Sequence, residues 1–473
     1  MPIDTHEGNM TDSPHLSEAA IALNRFGLGA RADEPPPADA KAWLLAQFDR
    51  YDPRPPVLAQ LPDSSSVARE LGAARQQAAS GADQDAKLAA RNMLRDEVRD
   101  AYRNAVDARV QSALTTDTPF VERLVHFWSN HFAISTEKPQ VAALAGAFEA
   151  EAIRPHVLGR FEDMLFAVER HPAMQVFLDQ VGSVGPDSRA AMRADAKAGE
   201  RGTKRGLNEN LAREIMELHT LGVRTGYTQS DVTEFARALT GWSVVGAKGM
   251  GGTPGSFVFR EPLHEPGERT IMGRTYAQAG EAQAQAVLRD LAAAPATAHH
   301  IAAKLARHFA GDDPSPALAA RLAQAFASSG GDLPTVYRAL IASPEPWTST
   351  PVKFKTPWDW TLSALRGLGA SDLGGVKAAP LLTQLGQPVW RPGSPAGYDD
   401  IAASWAAPDA LMRRVELAQR IAARVGDRVD ARTLAPKLTV DSLDPATALA
   451  ISRAESAQTA LALLLVSPDF QRR

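Results

Sequence analysis

The sequence predicts a mainly α-helical protein, a large single-domain, bundle-like array of helices with a small β-hairpin inserted near residues 243–276. Three observations carry this reading. Apolar residues recur at helical spacing along most of the chain. Hydrophobic residues make up 44% of the 473, enough for a sizeable core. Persuasive β-prone runs bounded by turn residues occur in one region only.

Residues 1–12 read as a disordered tail and residues 13–473 as one helical domain. Residues 16–26 and 39–48 are short helical patterns, separated by Gly27, Gly29 and Pro35-Pro36-Pro37. Residues 64–115 are charged and Ala-rich, with Leu94, Val98, Tyr102, Val106, Val110 and Leu114 every fourth position. That spacing predicts one long amphipathic helix, docked on the core or reaching for a partner helix. Residues 118–134, 141–150, 159–168 and 172–178 are aromatic and apolar, so core helices are expected there. Residues 181–206 have almost no large apolar side chains. Such a stretch lacks the surface to order itself by packing, so a mobile loop is expected, as a lid or a tolerated insertion. Ser256–Phe259 and Arg269–Met272 are the two strand-like runs, read as a hairpin. Helical patterns return at 277–291, 297–309, 316–328, 333–341, 356–368, 411–425 and 445–465.

The most informative segment is a polar helix over residues 208–221. On a helical wheel, Leu207, Leu211, Ile215 and Leu218 form its apolar face, and Glu214 falls at the edge of that face. Glu209, Arg213 and Glu217 form an i, i+4, i+8 ladder, worth about 0.2–0.5 kcal/mol per pair. A carboxyl turned toward apolar neighbours has its pKa raised by desolvation, the condition for acid–base work near neutral pH. The alternative is a structural ion network. The next helix opens with a capping box, Thr228 to Asp231. Gly222 and Gly241 terminate the two helices, which makes a helical hairpin.

His126 and His131 lie five apart on the aromatic helix, about 140° around it, so they share a face poorly. The zinc pattern of two histidines at i, i+4 is absent. No metal site is assigned, and no cofactor is identified. There is no cysteine, so thiol chemistry is excluded. The net charge of -4 argues against a dedicated nucleic-acid binder. Neither a phosphate-binding glycine loop nor a Gly-x-Ser-x-Gly elbow is present. No apolar run approaches the ~20 residues of a membrane span. The N-terminus lacks secretory features, so a cytoplasmic protein is expected, or one exported with a partner. Five of the eight Trp lie between Trp347 and Trp405, as loop anchors or stacking surfaces. Trp358 and Trp360 stand two apart on one helix, so unequal burial is expected.

Several motifs together resemble the bacterial family called domain of unknown function eighteen hundred. They are Leu23 to Gly29, Phe127 to Phe132, Asn208 to Gly222, Gly226-Tyr227-Thr228 with Asp231-Val232, and Ala236 to Trp242. His264 with Gly267, Lys304-Leu305 with Phe309, Gly386-Gln387-Pro388, and Gly397-Tyr398 with Trp405 complete the set. Ser129 stands where the family often has His, and the 181–206 stretch is longer than is typical of it. The resemblance implies a large helical domain without an assigned activity. It also implies a frequent partner related to sulfatases and alkaline phosphatases.

Two functions follow. The first is a hydrolase or lyase acting on a polymer such as a polysaccharide, with Glu214 as general acid or base and Glu217 as second carboxylate. Asn208, Asn210, Arg213, His131, Trp242 and His264 are the candidate substrate-binding residues. The second is a non-catalytic scaffold or accessory protein for the sulfatase/phosphatase-like partner.

Overall fold

The computed structural model describes residues 16–80, 84–198, 206–440 and 442–473. The tail expected at 1–12 lies outside them. The described residues are 63% helical and 4% strand, in keeping with the helical spacing of the sequence. No described helix is long and apolar enough to cross a membrane.

One apolar core runs from Ile21 to Trp390. A second is built by the C-terminal helices Pro408–Val425, Ala431–Thr439 and Ala457–Val466. The helix Pro357–Gly367 lies between the two cores. This corrects the expectation for its tryptophans, because Trp358 packs in the first core and Trp360 in the second, and both are buried. Each face of the helix has its own apolar partner. All five indole N–H groups of residues 347–405 find acceptors.

The 64–115 stretch is not one helix. It forms Ser64–Ser80 and Gln84–Thr115, which pack against each other, with the weak helix former Gly81 in the sequence between them. The 445–465 pattern likewise divides into Pro445–Ser452 and Ala457–Val466. The two strand-like runs do not pair with each other. Trp242–Val244 pairs with Phe257–Phe259, and Arg269–Ile271 with Arg274–Tyr276, so two hairpins replace the expected one. Within the expected loop at 181–206, Arg189–Ala198 is helical, and residues 199–205 lie outside the described residues.

The polar helix departs most from expectation. It is α-helical over Asn210–Glu214 and then widens to a π-helix over Ile215–His219. The wide turn moves Glu217 off the 3.6-residue spacing. Arg213 therefore pairs with Glu209 at 3.1 Å and with the Gln229 amide oxygen at 2.9 Å, and the ladder stops there. The capping box at Thr228 and Asp231 forms as read. Two other π-helical segments, Ala22–Phe26 and Glu149–Ile153, also carry buried charged residues, Arg25 and Glu149.

Candidate functional site

The sequence-derived residues scatter. Asn208 serves its own backbone, its Oδ1 accepting from the Asn210 N–H at 2.8 Å. Asn210 is exposed. Trp242 is buried in the first hairpin, edge-on to Phe257. His264 Nδ1 donates to the Thr240 carbonyl at 2.9 Å. Glu214 is half-buried, and burial raises its pKa, as the wheel predicts; the nearby Glu217 pushes the same way, while His219 opposes. Glu214 makes no hydrogen bond or ion pair among the described residues. His131 is buried behind a cavity wall, where its Nδ1 accepts at 3.0 Å from Nζ of Lys304, a residue that lines the cavity.

That cavity lies elsewhere, between the aromatic helix Pro119–His131, the helix Pro295–Ala310, the start of Pro357–Gly367 and the loop around residues 387–400. It is about 200 Å³ in volume, and a smaller one of about 70 Å³ adjoins it. The two share His126, Asn130, Trp358, Gln387 and Tyr398. Neither is lined by Glu214 or Glu217.

Helix Pro119–His131 supplies one wall by spacing alone, since Arg123, His126, Phe127 and Asn130 fall at i, i+3, i+4 and i+7. Asn130 clamps the facing loop. Its Nδ2 donates to the Tyr398 carbonyl at 2.9 Å and its Oδ1 accepts from the Tyr398 N–H at 2.7 Å. Gly397 makes this approach possible. Its φ is +84°, and a Cβ there would collide with the Asn130 carbonyl.

His126 sits where the cavities meet. The Trp358 indole N–H donates to its Nδ1 at 3.1 Å, so the ring proton is on Nε2, 3.5 Å from Glu122 Oε1. Burial, then Arg109, lowers the His126 pKa, so the ring is neutral. Behind it, Glu122 and Glu149 are buried with Arg109 and Arg154. Burial opposes charge on Glu122, but Arg154 and His126 outweigh it and hold the carboxyl far below its usual range.

The other wall holds a histidine–aspartate pair. His308 Nδ1 lies 2.7 Å from Asp400 Oδ2. Burial opposes charge on Asp400, but His308 and Lys353 win, and the carboxylate stays ionised. Lys353 Nζ is 3.2 Å from Asp400 Oδ1 and 2.9 Å from Asp312 Oδ1. His308 Nδ1 is thus the donor, and its Nε2 is the bare nitrogen, buried with no hydrogen-bond partner among the described residues. Burial pushes the His308 pKa down to about 4 against the pull of Asp400. Next to it, Asp359 is paired with Arg123 at 3.0 Å and with Arg473 at 3.3 Å.

Two cations on this wall are not neutralised. Lys304 and Arg307, one helical turn apart, make no ion pair among the described residues. Burial lowers the Lys304 pKa to about 8. Asp399 sits at the same cavity and accepts from the Ser404 hydroxyl at 2.8 Å. The arrangement therefore offers a free imidazole nitrogen, two cations without carboxylate partners, an aromatic side at Trp358 and Tyr398, and amides at Asn130 and Gln387.

Sequence reasoning missed the His308–Asp400 pair because 92 residues separate its members. A signal for half of it was present. His300, Lys304 and His308 recur every fourth residue on one helix, without an acidic neighbour. Four of the motifs that carried the family resemblance meet at the cavity, through Asn130, Lys304, Gln387 and Tyr398.

The family described as "Protein of unknown function (DUF1800)" matches residues 21–472, nearly the whole chain. No curated protein and no solved structure matches it.

Proposed function

We propose that this chain, which belongs to the DUF1800 family, is an acid–base enzyme of the hydrolase or lyase class that acts on an anionic substrate in the His308 cavity. One observation carries the reading. Asp400 holds His308 Nδ1, and Nε2 is left without a partner beside two unpaired cations. A buried polar atom without a partner calls for an explanation, and waiting for a substrate proton is one. Asp400 fixes the tautomer and stabilises the imidazolium that forms when Nε2 takes a proton. At neutral pH the ring is free base, although a pKa of about 4 makes it a weak one. An anionic group drawn in by Lys304 and Arg307 raises that pKa by its own charge and brings the base nearer its working range.

A carboxylated sugar polymer fits these groups. The cations take the carboxylate, and Trp358 and Tyr398 offer surface to a ring. Asp359 is held in an ion pair with Arg123 and Asp400 in one with Lys353, so a free pair of facing carboxylates, the usual glycosidase arrangement, is not formed by them. Proton abstraction beside a carboxylate, a lyase step, suits the site better.

The test is a screen of wild type and His308→Gln against uronate-bearing and neutral oligosaccharides. Unsaturated product is followed by its ultraviolet absorbance, and binding by calorimetry. Activity or binding confined to the uronates, with turnover lost in His308→Gln, supports the proposal. A wild type that neither binds nor turns over uronates, or a fully active variant, sinks it.

A second reading places the acid on the polar helix, supported by the raised pKa and missing partner of Glu214. Loss of turnover in Glu214→Gln but not in His308→Gln would favour it. Inertness of the wild type throughout the screen would favour the accessory role beside a sulfatase/phosphatase-like partner.

A further inference from the structure

A groove of about 490 Å³ runs along the N-terminal half of helix Gln84–Thr115, away from the acid–base groups. Its floor is apolar, formed by Leu94, Val98 and Tyr102 with Pro388 across from them. Its rim is basic, carrying Arg91, Arg95 and Arg99 at i, i+4, i+8, and Arg391 from the facing loop. The helix keeps its charges apart. Placed at 100° per residue, Asp85, Asp96, Glu97 and Asp100 all fall on the half turned away from the groove. Arg99 pairs with Asp96 at 2.9 Å, whereas Arg91, Arg95 and Arg391 make no ion pair among the described residues. Glu137 is the single carboxylate among the groove's lining residues. Leu88 lies on the same face one turn further out and is 57% exposed, a large apolar side chain left in water.

We propose that this groove binds an acidic segment of a partner protein whose apolar side chains seat on the Leu94–Val98–Tyr102 floor. Charge complementarity selects the occupant. Three unpaired arginines around an apolar floor favour carboxylates set beside leucine-like side chains over a basic or uncharged segment. A polyanion without apolar groups would leave the floor and Leu88 uncovered. The groove is also joined to the candidate site. The Tyr102 hydroxyl donates to the Val389 carbonyl at 2.8 Å. Pro388 and Arg391 face the groove, while Gln387, Val389 and Trp390 of the same segment line the smaller cavity. Trp390 holds a left-handed backbone, φ +51°, so the segment that an occupant would touch is already strained.

The proposal is independent of the acid–base reading and is tested by binding alone. Two fluorescent synthetic peptides share leucines at helical spacing, with glutamates at the polar positions of one and lysines in the other. Each is titrated into the full chain by anisotropy. The glutamate peptide binds, and more weakly as salt rises. Arg91→Glu with Arg95→Glu lowers its affinity about tenfold or more, the loss of roughly 1.4 kcal/mol. Leu94→Ser weakens it without changing the salt dependence. Both arginines are exposed and unpaired, so the double variant melts as wild type does. Failure of the wild type to bind the glutamate peptide overturns the proposal, as does equal binding of the lysine peptide. Equal affinity in the charge-reversed variant also overturns it. A sulfated polysaccharide that binds as tightly and is insensitive to Leu94→Ser would replace a protein partner with a bare polyanion.

Discussion

Lys304 Nζ lies 3.0 Å from His131 Nδ1, so an ammonium and an imidazole share one hydrogen bond, which requires the imidazole to be neutral. His131 stays neutral, because burial first, then Lys304 and the neighbouring histidines, hold its pKa well below the usual value. Its Nε2 donates to the His219 carbonyl at 3.1 Å. The ammonium thus rests on a neutral acceptor and keeps its charge available to the cavity. Burial, with Arg307 adding to it and Asp400 opposing, lowers the Lys304 pKa to about 8. Acylation followed by mass spectrometry should show Lys304 gaining reactivity around pH 8, well before the ordinary lysine range. Reactivity that appears only near pH 10 would contradict this environment.

Glu122 is buried against Arg154, with His126 Nε2 at 3.5 Å. Glu122→Gln leaves the Arg154 guanidinium without its nearest charge and should cost about 3–5 kcal/mol in urea unfolding. The sign with pH follows from the lowered pKa of this carboxyl. Its contribution is present above the unfolded value of 4.5 and is lost as pH falls toward the folded value. The gap between wild type and variant therefore closes in acid. A cost below ~1 kcal/mol at neutral pH would mean that the pair is not a strong partner.

Gly397→Ala forces a Cβ against the Asn130 carbonyl and imposes φ +84° on an alanine. The strain is about 1–3 kcal/mol. Relief requires the loop bearing Tyr398 and Asp400 to withdraw from the cavity. Ligand binding and turnover should fall more than stability does, measured by calorimetry and thermal melting. Normal binding with a lowered melting temperature would show that the loop yields elsewhere.

Glu214→Gln should be neutral or slightly stabilising at pH 7, by roughly 0.5 kcal/mol at most. Its folded pKa is raised by burial, so the carboxylate costs stability as pH rises from 4.5 through the folded value. The advantage of the variant should vanish below pH 4.5. Paired melts across that range check it, and a variant less stable at neutral pH would indicate a partner for the carboxylate.

Helix positions and caps were legible because they are local. The Thr228–Asp231 box and the apolar stripe of Gln84–Thr115 need only neighbouring residues. Strand pairing was not, since Phe257–Phe259 and Arg269–Ile271 are equally β-prone and nothing local names their partners. The raised pKa of Glu214 was legible from its place on the wheel. The cavity was not, because Asp400 comes from an irregular loop held by long-range contacts, the Asn130–Tyr398 clamp and the Lys353 ion pair among them. The π-helix left no mark either, for five residues are too few to reveal a changed period.

That π-helix has a consequence for how the chain tolerates insertion and deletion. A π-turn holds one residue more than the α-turn it replaces. Deleting one residue from Ile215–His219 would restore regular hydrogen bonding and keep what lies beyond it in register, whereas regularising the five residues without a deletion would turn everything beyond them by about 100° relative to Asn210–Glu214. In the latter case the carbonyls of Leu218 and His219, which His300 and His131 now engage at 3.1 Å, would swing away from both imidazoles. His131 would lose the acceptor that sets its tautomer, and with it the neutral nitrogen on which Lys304 rests. A change that locally regularises the helix would thus alter the charge state of a cavity it never touches.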